Sequence, residues 1–192
     1  MTDRLRAITL GTLLGDGNLN RRGSECRLLC KHAESQSVLL EWKRSMFDDI
    51  TNMPVNYFQQ EVRGKLYNFG QFTTLTHPVF TEIYNLFYRN SVKVISQELV
   101  RELVDPMSLA VWIMDDGAKE HVGLTLQTHS FTLEEVNLLR ETLYQRFNLK
   151  TLLRLNKGKS IIYFPKDQMK NLRSLVDDYL LPEYRYKFPL TP

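Results

Sequence analysis

The chain has 192 residues, 43% of them hydrophobic, enough for one ordinary domain or two small ones with a real core. Its formal charge of +3 is too small for bulk charge to announce a nucleic-acid binder, and its two cysteines exclude a disulfide framework. With no N-terminal signal pattern and no apolar run near about 18 residues, it is expected to be soluble and intracellular, with no membrane partner.

Residues 10–17, LGTLLGDG, form an apolar run with small residues inside and end in Asp16 and Gly17. They predict a tightly packed helix with a carboxylate in its last turn and Gly17 in the left-handed position that ends helices. Gly11 and Gly15, four apart, would let a second helix backbone approach closely. Residues 18–33 predict two short strands about a turn at Arg21, Arg22, Gly23 and Ser24. Cys26 and Cys30 share a strand face but lie too far apart to bond. With His32 they lack the fourth ligand of a metal site, so they are expected to pack as thiols. Residues 37–50 have helical periodicity in Val38, Leu39, Trp42, Met46 and Phe47, ended by Pro54. Residues 55–62 and 66–73 predict a hairpin around Arg63, Gly64 and Lys65. Pro78 opens a helix to residue 88, with Val79, Phe80, Ile83, Leu86 and Phe87 on its apolar side. The join at 90–105 lacks the Gly/Ser run of a flexible linker.

The same order then recurs. Pro106 opens a second helix, and residues 109–117, LAVWIMDDG, again end in Asp-Gly, at Asp116 and Gly117, with Gly117 likewise expected in the left-handed position. Residues 122–131 predict a strand region. Thr132 and Glu135 form a capping box for a helix to residue 147. Residues 149–155 and 160–164 predict strands around Asn156, Lys157, Gly158 and Lys159, and a last helix over 166–181 stops at Pro182. This is a duplicated α+β unit, not a solenoid.

The two helix ends carry the chemistry. A helix C-terminus bears partial negative charge, so an aspartate there is locally unfavourable. One such residue is ordinary. Asp16 and Asp116 on matching helices point to a compensating cation such as Mg²⁺, which takes carboxylate and water oxygens. The plainer alternative is two unrelated buried helices with acidic ends.

The paired Asp-Gly motifs, their separation and the repeated units resemble the LAGLIDADG homing endonucleases, in the single-chain, two-motif branch. The first motif departs from the namesake letters but keeps the helix, the small residues and the terminal Asp-Gly. The second is closer, and Pro106 to Ala110, Thr128, Ser130 to Thr132, Glu134 to Val136, Ile161 to Tyr163 and Tyr186 to Pro189 extend the likeness. The resemblance implies a pseudo-twofold duplicated αββαββα fold, with two motif helices at the dyad and a β-saddle over the DNA major groove. It implies halves at 1–92 and 106–192 with a connector at 93–105. It also implies a site-specific enzyme that makes metal-dependent double-strand breaks with 3′ overhangs in a long target and promotes intron mobility.

Carried over by position, the resemblance makes Asp16 and Asp116 the metal-holding carboxylates, with the backbone carbonyls of Gly15 and Asp115 as further ligands. Lys93 and Lys187 become the basic catalytic residues. Two or three Mg²⁺ ions are expected, with Mn²⁺ able to substitute. His32, His77, His121 and His129 show no catalytic spacing and are expected in core, strand or cap roles.

Strand alternation puts every second side chain on one face. The expected DNA contacts are Asn18, Asn20, Arg22, Arg27, Lys31, Gln59, Glu61, Arg63, Lys65 and Gln71. In the second half they are Gln127, Lys150, Arg154, Asn156, Lys157 and Lys159. Arginine reads guanine and Asn or Gln reads adenine, while lysine mainly meets phosphate. Double-stranded DNA is the expected partner and a monomer the expected state. Two alternatives stand beside this: an RNA-splicing maturase of the same fold with intron RNA as partner, and a nuclease-dead DNA-binding regulator. The expected compartment is an organelle (mitochondrion or chloroplast) or a bacterial cytoplasm.

Overall fold

The computed structural model describes residues 2–102 and 105–189. Its contacts divide the chain into two compact units, Met1–Tyr84 and Asn85–Pro192. No described helix is long and apolar enough to cross a membrane.

In the first unit, α1 (Asp3–Leu14) starts at Thr2, whose hydroxyl accepts from the Leu5 amide, and is buried from Ala7 to Leu14. It ends sooner than its sequence predicts. The Gly15 amide donates to the Gly11 carbonyl, and the Gly17 amide donates to the Thr12 carbonyl at 2.8 Å. Asp16 therefore stands just past the helix. Strands β1 (Asn18–Arg22), β2 (Glu25–Ala33), β3 (Asn56–Val62) and β4 (Lys65–Thr73) pair antiparallel in the order β1-β2-β4-β3. Helix α2 (Ser37–Met46) lies on this sheet. Its Leu39 and Leu40, with Phe47 just past its end, are buried, as are Cys26, Leu28 and Cys30 of β2 and Phe72 of β4. Both cysteines are free, as expected of packing thiols. Arg63 and Gly64 turn the β3–β4 hairpin with φ of +53° and +75°, the double left-handed geometry whose twist suits flanking strands.

Helix α3 (Pro78–Phe87) crosses the division between the units. In the second unit, β5 (Tyr88–Arg89) and β6 (Val92–Lys93) form a small ribbon, followed by α4 (Gln97–Glu102). Helix α5 (Pro106–Asp116) is capped by Asp105, whose carboxylate accepts from the Met107 amide at 2.7 Å. It runs directly into β7 (Gly117–Lys119), a strand its sequence does not announce, and then β8 (Leu124–Leu126). The strand expected over 122–131 is thus only three residues, because the chain turns at Thr128, whose hydroxyl donates to the Ser160 carbonyl. Helix α6 (Leu133–Phe147) carries the full Thr132–Glu135 capping box and ends on left-handed Asn148. Strands β9 (Leu152–Asn156) and β10 (Lys159–Phe164) complete a sheet of order β7-β8-β10-β9, the strand pattern of the first unit repeated. Its hairpin turns on Lys157 and Gly158 with φ of +51° and +75°. The expected last helix is broken into a 3-10 turn (Lys166–Gln168), α7 (Met169–Val176) and two further 3-10 turns, Asp177–Tyr179 and Pro182–Lys187.

One expectation about the motif ends is overturned. Neither Gly17 nor Gly117 is left-handed: the left-handed glycines are Gly23, Gly64 and Gly158, and Gly117 has φ of −71°. Space, not backbone angle, demands glycine there. A Cβ on Gly17 would lie 2.3 Å from Thr12 Cγ2 and 2.9 Å from the Thr12 carbonyl oxygen. On Gly117 it would lie 2.5 Å from the Ile113 carbonyl oxygen.

Candidate active site and nucleic-acid interface

At the end of α1, the Asp16 side chain is 48% exposed, and its Oδ2 lies 3.5 Å from Nδ1 of His32. His32 closes the buried series Cys26, Leu28, Cys30 along β2 and is only 3% exposed. The same Nδ1 lies 2.8 Å from Gln36 Oε1, and Nε2 lies 3.4 Å from the Nζ of Lys43. Lys43 is wholly buried, although it is a lysine. It sits on the inner stripe of α2 with Leu39 and Leu40. The core, strand or cap role expected of His32 is what it has, buried on β2, whereas Lys43 carries no expectation from the sequence. The missed signal was a lysine at an apolar position of an amphipathic helix, where charge is almost never left without a partner.

At the end of the second motif, Asp116 is the last residue of α5 and partly exposed, and its carbonyl accepts from the Gln127 amide at 3.1 Å. Asp115 is buried. Lys187 is 5% exposed, so it is not a solvated surface lysine. Its ammonium donates to the carbonyls of Ile113 at 3.1 Å, Met114 at 2.5 Å and Asp115 at 3.1 Å. Helix carbonyls of the last turn have no partner within the helix, and a cation there also opposes the negative end of the dipole. Part of the compensating charge inferred for this helix end is therefore a side chain. The 3-10 turn that carries Lys187 follows Leu181, whose amide donates to Met114 Sδ at 3.4 Å. Lys93 lies in β6 opposite Tyr88 and is half-buried. The Gly15 amide, next to Asp16, is occupied in capping α1.

Strand register sorts the expected DNA contacts. In the first sheet, Asn20 pairs with Arg27, Arg22 with Glu25, and Lys31 with Gln71, which in turn pairs with Asn56. Paired residues share a face, so Asn18, Asn20, Arg22, Arg27, Lys31, Lys65 and Gln71 line one surface opposite the buried Cys26, Leu28 and Cys30. Gln59 and Glu61 alternate to the other face. Gln60, which was not singled out, shares the first face, and its Oε1 accepts from Lys31. The Lys31 ammonium also lies 4.2 Å over the Phe69 ring. Arg63 sits at the hairpin tip, exposed.

In the second sheet, Leu124, Leu126, Ile162 and Phe164 are fully buried and define the inner face. Gln127, Arg154, Asn156 and Lys159 fall on the other. Asn156 Nδ2 donates to Gln127 Oε1 at 3.2 Å, and the Arg154 guanidinium stacks 3.2 Å from the Tyr163 ring centroid. Lys157 occupies the hairpin tip. Lys150 precedes β9, exposed, with its amide held by Gln168.

Residues 6–172 match the model of the LAGLIDADG DNA endonuclease family. The chain belongs to that family. It is 31% identical over 196 aligned residues to the cytochrome b mRNA maturase bI2 of Saccharomyces cerevisiae, covering 94% of this chain but 46% of the maturase. It thus spans about half the length of that relative. It is 40% identical over 119 residues to the intron-encoded endonuclease ai4 of Dictyostelium discoideum, covering 61% of this chain and 75% of that protein. Among solved structures, the homing endonuclease I-WcaI bound to its DNA recognition sequence superposes with a TM-score of 0.92 at 27% identity. That match covers 98% of this LAGLIDADG chain and 88% of the other. The mixed helix and antiparallel-sheet fold expected of the family is the fold observed.

Proposed function

We propose that this LAGLIDADG chain is a site-specific homing endonuclease that makes double-strand breaks in a long DNA target, with divalent cations held by Asp16 and Asp116. The carrying observation is that each repeated unit presents one at least partly exposed aspartate where a buried motif helix gives way to its first strand. The donors at both ends are carboxylate and carbonyl oxygens, a set that fits a hard divalent cation such as Mg²⁺, with Mn²⁺ as a substitute. When bound, such an ion neutralises phosphate charge and makes a nucleophile of water near neutral pH. The carbonyls of Gly15 and Asp115 remain proposed ligands, and the Asp115 carbonyl would do so while also accepting from Lys187, since a carbonyl oxygen has two lone pairs.

The chain's own groups supply the rest. Lys187 neutralises the carbonyl end of α5 and fixes the path of the backbone into Asp116. Lys93 is proposed to oppose charge that builds on the scissile phosphate. The polar faces of the two sheets are proposed to read the major groove, Arg154 and Arg27 at guanine, and Asn20, Gln71 and Gln127 at adenine. A monomer carrying two motifs needs no second copy to place one carboxylate at each strand. Residence in an organelle or bacterial cytoplasm with an intron-borne gene is proposed on the same footing.

The test is direct. Purified protein is incubated with Mg²⁺ and fragmented host or randomised DNA, beside Asp16→Asn and Asp116→Asn, and new ends are sequenced. Discrete ends at one long site, absent with either variant while DNA binding persists, support the endonuclease. Tight binding without ends favours the second reading, an RNA-splicing maturase, which the likeness to a cytochrome b mRNA maturase motivates. Acceleration of splicing of a precursor RNA would then be measured.

A further inference from the structure

We propose that His32, locked in its Nδ1–H tautomer by the buried Lys43, is a positioning residue for Asp16. This rests on the assignment of Asp16 as a metal-holding carboxylate and deepens it. Each nitrogen of the imidazole has a neighbour that settles its proton. Nδ1 faces two acceptors, Gln36 Oε1 at 2.8 Å and Asp16 Oδ2 at 3.5 Å, so it carries the hydrogen. Nε2 faces the Lys43 ammonium at 3.4 Å, a donor with no acceptor capacity, so it carries the lone pair. Both sides specify the same tautomer.

The three anchors come from three separate elements: the end of β2, the 3-10 turn Glu34–Gln36 and the middle of α2. Lys43 is fully buried and His32 nearly so. A buried lysine is costly unless its charge meets a partner, so its retention at an apolar helix position points to a role beyond packing. Here it holds the imidazole from behind, and the imidazole, its Nδ1 anchored on Gln36 Oε1 at 2.8 Å, keeps that same nitrogen 3.5 Å from the Asp16 oxygen that would ligate metal. Hydrogen bonds from outside a metal's ligands set their orientation, and losing one typically costs about 10- to 100-fold in metal affinity or activity.

At the matching register position the second unit carries a different residue. Extending the β7–β8 register, Asp116 lies opposite Gln127, and Thr128 follows; extending β1–β2, Asp16 lies opposite Lys31, and His32 follows. Thr128 instead spends its hydroxyl on the Ser160 carbonyl.

Two isosteric variants separate positioning from packing. Asparagine carries its amide nitrogen where histidine carries Nδ1, whereas glutamine reaches to the place of Nε2. The Mg²⁺ concentration for half-maximal cleavage of the recovered target would be measured for His32→Asn, His32→Gln and Lys43→Met. A double variant, His32→Leu with Lys43→Met, removes the buried ammonium together with the imidazole it faces. Expected is near-parental metal dependence in His32→Asn, and a shift of about 10-fold or more in His32→Gln and the double variant, with DNA binding and melting temperature held. Equal metal dependence for His32→Asn and His32→Gln overturns the proposal, whether or not the double variant folds. Long-range ¹⁵N NMR of the imidazoles, assigned through His32→Asn, gives a readout free of DNA. The Nδ1–H tautomer supports the proposal and the Nε2–H tautomer overturns it. Cleavage by Asp16→Asn at the parental rate would instead remove the metal-site assignment on which it rests.

Discussion

Gly117 has an ordinary extended backbone, yet it tolerates no side chain, because a Cβ would press to 2.5 Å on the Ile113 carbonyl. That oxygen is also one of the three that Lys187 holds. Gly117→Ala is therefore expected to cost about 1–3 kcal/mol by overpacking, read by urea melts, and to depress cleavage as well. Gly64→Ala supplies the contrast. Its strain comes from the left-handed φ of +75°, worth about 1–2 kcal/mol, and it sits at an exposed hairpin tip. It is expected to lower stability without touching the cleavage rate of the DNA-bound enzyme. The Asp-Gly pairs were legible as motifs in the sequence, but the reason for the glycine was not. Helix-ending glycine is usually a matter of backbone angle, and only coordinates reveal the carbonyl it must clear. His32 and Lys43 were illegible for a related reason: eleven positions apart on different elements, they form no local pattern.

Among the elements, both hairpins were legible because a residue-Gly turn sits between alternating runs, and the phase of that alternation shows why part of the interface was not. Strand β3 is exposed along almost its whole length on both faces. Without a buried side, nothing in its composition fixes which of Gln59 or Gln60 shares the face of Lys31, and a one-residue error moves every side chain across the sheet. In β2, where Cys26, Leu28 and Cys30 are buried, Arg27 and Lys31 were placed by the same logic without ambiguity. Exchange of Gln60 for alanine is expected to alter target preference more than exchange of Gln59, as read from cleavage of a library of single-base target variants.

The β3 hairpin is tied to α2 by Tyr57, whose hydroxyl donates to Glu41 at 2.9 Å. Partial desolvation of this exposed side chain first, and then the Glu41 carboxylate, push the phenol up to about 12. Because its folded value is raised, the contribution is complete below the ordinary tyrosine range near 10 and is lost as pH climbs toward 12. Tyr57→Phe is expected to cost about 0.5–1.5 kcal/mol at neutral pH and to remove one late-titrating tyrosine from an alkaline absorbance titration.

Across the whole molecule, the net charge of +3 understates the charge available to DNA. Arg22, Arg27, Lys31, Lys65, Arg154 and Lys159 fall on the open sheet faces by register. If each neutralises one phosphate, log K against log salt has a slope of about −5. Changing Lys65 and Lys159 to glutamine should reduce that slope by about 2 while leaving the position of the cut unchanged. The repeated strand order with unlike groups after Asp16's and Asp116's strand partners predicts unequal strand cutting. Supercoiled plasmid carrying the target is expected to pass through a nicked circle, and His32→Gln to lengthen that stage.

The grip of Lys187 on α5 also has a meaning in time. The ribosome completes α5 long before it reaches residue 187. A nascent or prematurely terminated chain that stops after Asp116 and short of Lys187 holds both aspartates, yet lacks the ammonium that closes the carbonyls of Ile113, Met114 and Asp115. DNA cleavage is thus expected only from a chain that reaches Lys187, and Lys187→Met, which removes the ammonium while keeping every element, is expected to lose it in a plasmid-cleavage assay.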